Sequence, residues 1–122
     1  MSNSNNNILQ IITDLQADDP DIRAVSFTST EGRIQESTLP KLLEKMKVSA
    51  VSAAAMAISR KGSSDLDLGN VEQVHIQSGN GSILLLGVSQ GAVLTIVLRD
   101  NASVSNVVAR AQSVVSRLTA LV

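Results

Sequence analysis

The side chain best suited to chemistry near neutral pH is the one histidine of the sequence, His75. An imidazole can transfer protons or bind a metal, but both tasks need a second ionisable or ligating group beside it. The neighbouring residues offer no paired carboxylates, and the chain has no cysteine to supply a thiolate. His75 is therefore predicted to be a surface or interface histidine, with no catalytic or metal-binding role.

Two segments match ligand-binding motifs only in part. Residues 65–70, DLDLGN, have the alternating aspartates of a calcium loop, but Ile76 stands where the bidentate glutamate should be. Residues 87–91, GVSQG, lack the Lys-Ser/Thr that ends a phosphate loop. Arginine can stabilise charge in phosphoryl transfer, yet none stands out among Arg60, Arg99, Arg110 and Arg117. The sequence predicts no catalytic residue, no cofactor and no metal.

The composition narrows the range of partners. The 122 residues suffice for one domain with a core, and a net charge of −1 gives no electrostatic signature for nucleic acid or an anionic membrane. Phe27 is the one aromatic residue, which disfavours base stacking and an aromatic-lined ligand pocket. The sequence shows neither a signal peptide nor an apolar run of about 18 residues. We therefore expect a cytoplasmic protein without membrane insertion.

Hydrophobic periodicity predicts eight elements in the order α-β-β-α-β-β-β-α. Helical spacing marks residues 8–15 and 104–121, and β-branched runs separated by short turns mark five strands. Short turns favour antiparallel pairing, so we expect an α/β fold: a three-layer α/β/α sandwich with a mostly antiparallel five-stranded sheet. Residues 1–7 are predicted to be a flexible tail and residues 8–122 a single domain. The predicted strands are 22–29, 33–37, 71–78, 82–88 and 92–98, with a loop at 61–70.

The central helix, predicted over residues 39–60, is apolar on two sides. One stripe is predicted to face the core: Leu39, Leu42, Leu43, Met46, Ala50, Ala53 and Ala57. The other side lies about 100–180° away and carries Val48, Val51, Ala55 and Ile58. A helix that is apolar on both sides is buried on both sides, and a chain of this size leaves little besides another chain to cover the second one. Residues 48–58 are therefore predicted to form a self-association surface.

Residues 68–111 carry a recognisable pattern of glycine and apolar positions. A Leu-Gly precedes the third strand, a Gly-containing hairpin follows it, and an Asn/Ala/Ser segment leads into a last helix that bears Arg110. The pattern V-x-x-G-A-x-L is present at Val88, Gly91, Ala92 and Leu94. A looser match around Gly32 extends the similarity to about residues 8–121. In these positions the chain resembles the roadblock/LC7 domain family, which implies a roadblock/LC7-like, profilin-like fold.

The resemblance implies a non-enzymatic homodimer that regulates or scaffolds a small Ras-like GTPase, with the central helix and the third strand each packing on its mate. Such domains also act as adaptors in motor and signalling assemblies, so a structural adaptor with no GTPase partner is the alternative, and a small-ligand sensor is a third reading. The expected dimer interface comprises Val48, Val51, Ser52, Ala55, Ile58, Val71, Gln73, His75 and Gln77. A candidate partner-docking rim comprises Lys41, Glu44, Lys45 and Lys47.

Overall fold

The computed structural model describes residues 3–122, with side chains from Asn7 onward. Its elements follow the predicted order: α1 Asn3–Asp18, β1 Ile22–Ser29, β2 Ile34–Ser37, α2 Leu42–Asp65, β3 Gln73–Ser78, β4 Gly81–Val88, β5 Ala92–Arg99 and α3 Val104–Leu121. Every strand begins and ends within two residues of its predicted bounds. Helix α1 begins inside the predicted tail 1–7, of which residues 1 and 2 lie outside the described residues.

The five strands form one sheet in the order β2-β1-β5-β4-β3, and every neighbouring pair is antiparallel. Tight turns join β1 to β2, β3 to β4 and β4 to β5, whereas β1 pairs with β5 across most of the chain, with Val25 opposite Ile96. In the β3–β4 hairpin, Gly81 has φ +150° and an added Cβ would lie 2.6 Å from the Leu98 carbonyl oxygen. That turn therefore requires glycine.

Helices α1 and α3 cover one face of the sheet and enclose the larger core. Their buried residues follow the predicted spacing of three and four: Ile8, Ile11, Ile12 and Leu15 in α1, and Val107, Ala111, Val114 and Leu118 in α3. Alternate residues of β1, β4 and β5 meet them, including Val25, Phe27, Leu84, Leu86, Leu94 and Ile96. Each large apolar side chain buried in this way contributes about 1.5–3 kcal/mol. The three-layer sandwich is confirmed.

Helix α2 covers the opposite face with side chains other than those predicted. Its buried residues are Ser49, Ser52 and Met56, whereas Leu42 and Leu43 are 67% and 63% exposed. The stripe predicted to face the core, which comprises Leu39, Leu42, Leu43, Met46, Ala50, Ala53 and Ala57, was therefore wrong. The prediction counted only apolar residues, so it could not identify serines as buried. A hydroxyl group can be buried when its hydrogen bonds are satisfied.

The ends of α2 also differ from the prediction. The helix begins at Leu42 rather than 39, and it extends to Asp65 through residues predicted to be a loop. Lys61 Nζ lies 2.9 Å from Asp65 Oδ2, an i,i+4 ion pair that supports the additional turn. Beyond the helix end at Asp65, Asp67 and Gly69 both have positive φ and turn the chain toward β3. Residues 61–65, KGSSD, have the composition of a loop, so composition alone concealed the last turn of the helix.

Candidate interaction surface

The α2 face of the sheet is only partly covered within the chain. Helix α2 packs on β1, β2 and β5, and Met56 reaches the small apolar cluster around Leu85 and Val93. Beyond the helix, Ile83 of β4 and Val97 of β5 remain half-buried. A groove of about 120 Å³ separates α2 from these strands and is lined by Lys47, Val48, Val51, Ile83, Thr95 and Val97. An apolar strip of the sheet therefore stays open on the side of β4 and β3.

The side of α2 that borders this open strip is itself apolar. It carries Val48, Val51, Ala55 and Ile58, which we call the α2 flank. Val51 and Ile58 are 44% and 75% exposed, while Val48 and Ala55 are half-buried. Ala55 packs against the same cluster as the half-buried Val74 and Ile76 of β3. The α2 flank and the open strip therefore form one continuous apolar surface.

Strand β3 is an edge of the sheet. It pairs with β4, and no other strand of residues 3–122 lies on its outer side. Val74 and Ile76 point toward the α2 side, and Gln73, His75 and Gln77 are exposed on the other face, as their alternation predicted. An edge strand presents unpaired N–H and C=O groups that can pair with another strand. Such pairing would extend the sheet at this edge.

The structure brings most of the predicted interface residues to these two features. Val48, Val51, Ala55 and Ile58 make up the α2 flank, and Val71, Gln73, His75 and Gln77 lie on or just before β3. Ser52 was predicted wrongly, because it is 0% exposed and lies beneath the helix. Its hydroxyl donates to the Val48 carbonyl oxygen at 2.6 Å and lies 2.6 Å from Thr95 Oγ1. Ser52 therefore anchors α2 to the sheet of its own chain.

The predicted docking rim lies at the N-terminal end of α2. Lys41 and Lys47 are exposed, and Glu44 and Lys45 are half-buried. Cations at a helix N-terminus oppose the helix dipole, an effect of about 0.3–1 kcal/mol each in the first turn. Lys41 and Lys45 therefore gain nothing from the helix dipole, whereas Lys47 lies beyond the first turn. Docking of a partner at this rim stays a prediction.

Several leucines are exposed that the sequence did not predict to be exposed. Leu42 and Leu43 were assigned to the core, and Leu66 and Leu68, each 71% exposed, were assigned to a featureless loop. Leu42 and Leu43 lie in the first turn of α2, before Ser49, which is the first buried residue of the helix. Their position at the end of the helix was the one indication that they are exposed. Apolar periodicity concealed this signal, because Leu42 and Leu43 continue the alanine-rich stripe that was taken to face the core.

Three of the four arginines considered for charge stabilisation donate to backbone carbonyl groups of other parts of the chain. Arg60 Nη1 donates to the Gln90 carbonyl oxygen at 3.2 Å. Arg99 Nε donates to that of Pro20 at 3.0 Å, and Arg110 Nη1 to that of Asp18 at 2.7 Å. Arg60 and Arg99 therefore link their elements to turns, and Arg110 links α3 to the C-terminal end of α1.

Metal-binding clusters, surface depressions and membrane-spanning helices are other features that could indicate a site. Within residues 3–122, no group of three or more His, Cys, Asp or Glu side chains could hold a metal ion. An open depression of about 860 Å³ lies at the C-terminal end of α2, lined mostly by hydroxyl, amide and glycine residues, with Arg60 and Asp67 as the charged groups in its lining. Among the helices described here, none is long and apolar enough to cross a membrane.

Comparison with known proteins agrees with this geometry. The Roadblock/LC7 domain model matches residues 8–98, and no curated protein matches the sequence. Myxococcus xanthus MglB shares the fold with a TM-score of 0.85 at 15% identity over 94% of each chain. A structure described as MglB with tetrameric arrangement has a TM-score of 0.88 at 11% identity, covering 99% of this chain and 91% of that chain.

A profilin shares the architecture more distantly. LokiProfilin2, solved in complex with rabbit actin, has a TM-score of 0.65 at 14% identity over the full length of both chains. These neighbours confirm the predicted fold, including its similarity to profilins, and the family model covers three quarters of the sequence. The chain belongs to the Roadblock/LC7 domain family.

Proposed function

We propose that this protein is a non-enzymatic homodimer that regulates or scaffolds a small Ras-like GTPase. The observation that carries the homodimer is the half-covered sheet, where the α2 flank and the strip of Ile83 and Val97 form one apolar surface. A second copy related by a two-fold axis would lay its own α2 on that strip, and its β3 would pair with the β3 of the first copy. The same patch is then buried on both copies.

The dimensions of the surface suit a stable dimer. Helix α2 has 24 residues and is about 36 Å long, so its flank and the edge strand β3 offer an extended contact to a second copy. The exposed Val51 and Ile58 supply apolar area at its centre. The MglB neighbour with a tetrameric arrangement supports self-association in a protein of this fold.

The GTPase partner is proposed from the family. Roadblock/LC7 domains bind or regulate small Ras-like GTPases, and membership supports a regulatory or adaptor role for this chain. The proposed docking rim on each copy is formed by Lys41, Glu44, Lys45 and Lys47, beside the exposed Leu42 and Leu43. Two rims related by a two-fold axis would give a symmetric platform on the α2 side of the dimer.

A structural adaptor without a GTPase is the second candidate. The profilin neighbour bound to actin shows that a related fold serves as a binding module in another setting. Exposed Leu66 and Leu68 offer further apolar contact outside the proposed dimer surface. A small-ligand sensor is the least favoured reading, because the depression beside Arg60 is open and Arg60 already donates to the Gln90 carbonyl oxygen.

The homodimer is tested by solution mass from light scattering over a dilution series. Wild type is expected to be a dimer, and Val51→Asp a monomer, because an unpaired charge in a dry interface costs several kcal/mol. Leu9→Asp is the matched control, since Leu9 is 40% exposed on α1, away from the proposed interface. That variant should stay dimeric. A well-folded wild-type monomer contradicts the homodimer.

The GTPase is tested by calorimetry with a panel of small Ras-like GTPases, each loaded with GDP or with a non-hydrolysable GTP analogue. Wild type is expected to bind a member of the panel with an affinity that depends on the nucleotide, and Leu9→Asp should bind equally well. Loss of binding by Val51→Asp would show that the GTPase requires the dimer. Intact dimers that bind no GTPase in either state support the adaptor.

A further inference from the structure

The face of β3 that points away from α2 carries a row of polar side chains with one histidine in it. Gln73, His75 and Gln77 are exposed there, and His75 pairs with Leu84 of β4. Because a glutamine does not change its charge, the charge of this row is set by His75. An imidazole gains its proton as the pH falls through about 6.5. The row is therefore neutral in weak base and positive in weak acid.

The other charged groups around His75 belong to the end of β5. A small pocket of about 160 Å³ beside the histidine is lined by Arg99 and Asp100, and α3 contributes the uncharged Val104 to it. Strand β4 contains no charged residue. Arg99 Nε already donates to the Pro20 carbonyl oxygen at 3.0 Å. The opposite charges of Arg99 and Asp100 are present with or without a second copy, so they favour neither state.

The symmetry of the proposed dimer limits what can stand opposite His75. Both α2 helices would lie on the same side of the extended sheet, so the two-fold axis is perpendicular to the sheet and keeps each residue on its own face. Residues directly opposite each other in an antiparallel pair share a face. Along β3, His75 can therefore stand opposite only Gln73, His75 or Gln77 of the second copy.

Each alignment that pairs the middle of β3 brings the two imidazoles close together. An axis through His75 sets them directly opposite, with Cβ atoms about 4.5–5.5 Å apart. An axis at Val74 or Ile76 sets each opposite a glutamine and makes the histidines diagonal neighbours, about 7–8 Å apart. Because the second copy is identical, it brings no carboxylate to this row. Two protonated imidazoles would therefore repel each other without compensation in every case.

We infer that His75 makes the self-association of this protein depend on pH, with two copies pairing through β3 while their imidazoles are neutral and separating more readily once both are protonated. The inference rests on the proposed homodimer and adds a control on it. Its sign follows from linkage, because repulsion makes the dimer bind fewer protons than two monomers do, and acid then favours the monomers. The dimer is tightest above about pH 7.5 and weakens as the pH falls through about 6.5.

The pH dependence is tested by analytical ultracentrifugation of protein without a histidine tag, at pH 8 and at pH 5.5 in low salt. The dimer Kd of wild type is expected to rise about fivefold in acid, and added salt should reduce this rise. His75→Gln continues the neutral row and should have the same Kd at both pH values. A dimeric wild type whose Kd is equal at the two pH values, or a His75→Gln variant that keeps the full change, overturns the inference.

A fixed charge at position 75 tests whether the two side chains are close together. His75→Lys alone and His75→Glu alone each place like charges in their own homodimer, so each should raise the dimer Kd about fivefold at pH 8. An equimolar mixture should form the heterodimer preferentially, with a Kd about tenfold below that of either homodimer. Ser113→Lys and Ser113→Glu are the matched controls, since Ser113 is exposed on α3. Their mixture should show no preference for the heterodimer.

The outcomes separate this inference from the homodimer itself. The position-75 variants should keep the wild-type fold, which circular dichroism checks, because His75 is exposed. A wild type that is monomeric at pH 8 overturns the homodimer, and the pH dependence with it. A wild type that is dimeric at pH 8, with no heterodimer preference in the mixture of His75→Lys and His75→Glu, overturns the role of His75 alone.

Discussion

The two faces of the sheet hold their helices by different means. Successive residues of a strand point to opposite faces, so β1 contributes Val25 and Phe27 to the side of α1 and α3, and Ser26 and Thr28 to the side of α2. The first side is filled by large aliphatic residues that enclose a continuous core. The second has Met56, Leu85 and Val93 as its fully buried apolar cluster. The core on the first face is fully buried within the chain. The helix on the second face packs on the sheet but leaves its apolar flank exposed.

Hydrogen bonds between hydroxyl groups replace much of the apolar contact under α2. Ser52 Oγ and Thr95 Oγ1 lie 2.6 Å apart, and Ser26 Oγ and Ser37 Oγ lie 2.8 Å apart. A hydrogen bond of this kind contributes about 0.5–1.5 kcal/mol, less than the roughly 1.5–3 kcal/mol of a buried leucine. Helix α2 is therefore positioned specifically but held more weakly than α1 and α3.

The largest expected effect comes from truncating one core residue on each face. Leu118→Ala on α3, where Leu118 is 0% exposed, should lower the free energy of unfolding by about 2–5 kcal/mol. Met56→Ala on α2 should cost less, toward about 2 kcal/mol, and should also weaken the dimer by loosening α2. Urea unfolding at two protein concentrations measures both effects. Equal losses, each independent of concentration, would show that the faces are equivalent.

A smaller effect is expected from removing the buried hydroxyl pair of Ser52 and Thr95 beneath α2. Ser52→Ala leaves Thr95 Oγ1 buried without its partner, which should cost about 1–3 kcal/mol. Thr95→Val should cost a similar amount. The double variant removes both hydroxyls and should cost clearly less than the two losses together, as urea unfolding of all four proteins would show. Additivity within about 0.5 kcal/mol would mean that the pair does not couple.

The control for this cycle is a hydroxyl on the other face of the molecule. Ser113 is exposed on α3, and its Oγ donates to the Arg110 carbonyl oxygen at 3.0 Å. Ser113→Ala should change the free energy of unfolding by no more than about 0.5 kcal/mol. The loss of unfolding free energy then distinguishes a buried hydroxyl that anchors a helix from an exposed hydroxyl that bonds to its own helix backbone.

Most of the fold could be predicted because apolar spacing reports burial directly. The strands were found from β-branched runs and glycine turns, and α3 from the regular spacing of Val107, Ala111, Val114 and Leu118. The pairing of β1 with β5 was not predicted, since it joins residues far apart in the sequence and leaves no local pattern. The end of α2 was missed because KGSSD reads as a loop, although Lys61 and Asp65 form an ion pair at helical spacing.

The candidate surface was predicted in part, for a related physical reason. Val51 and Ile58 were placed on a side away from the core, and the structure exposes both. The core side itself was misplaced, because serine counts as polar in any periodicity although Ser49 and Ser52 are buried. Leu42 and Leu43 were accordingly assigned to the interior. Burial of a hydroxyl depends on a partner such as Thr95, which lies 43 residues away from Ser52, and no local pattern reveals it.

The pairing of β1 with β5 also sets the order in which this protein can fold. Val25 and Ile96 are partners separated by about 70 residues, and synthesis at roughly 5–20 residues per second delays their meeting by about 4–14 seconds. During that interval Val25 and Phe27 have no central strand to pair with. The β3–β4 and β4–β5 hairpins join residues close in sequence, whereas the pairing of β1 with β5 closes a long loop, which is the kind of contact that forms slowly. Until β5 is made, the edge of β1 that will pair with it is open, and an open strand edge is a site at which a new chain can associate wrongly.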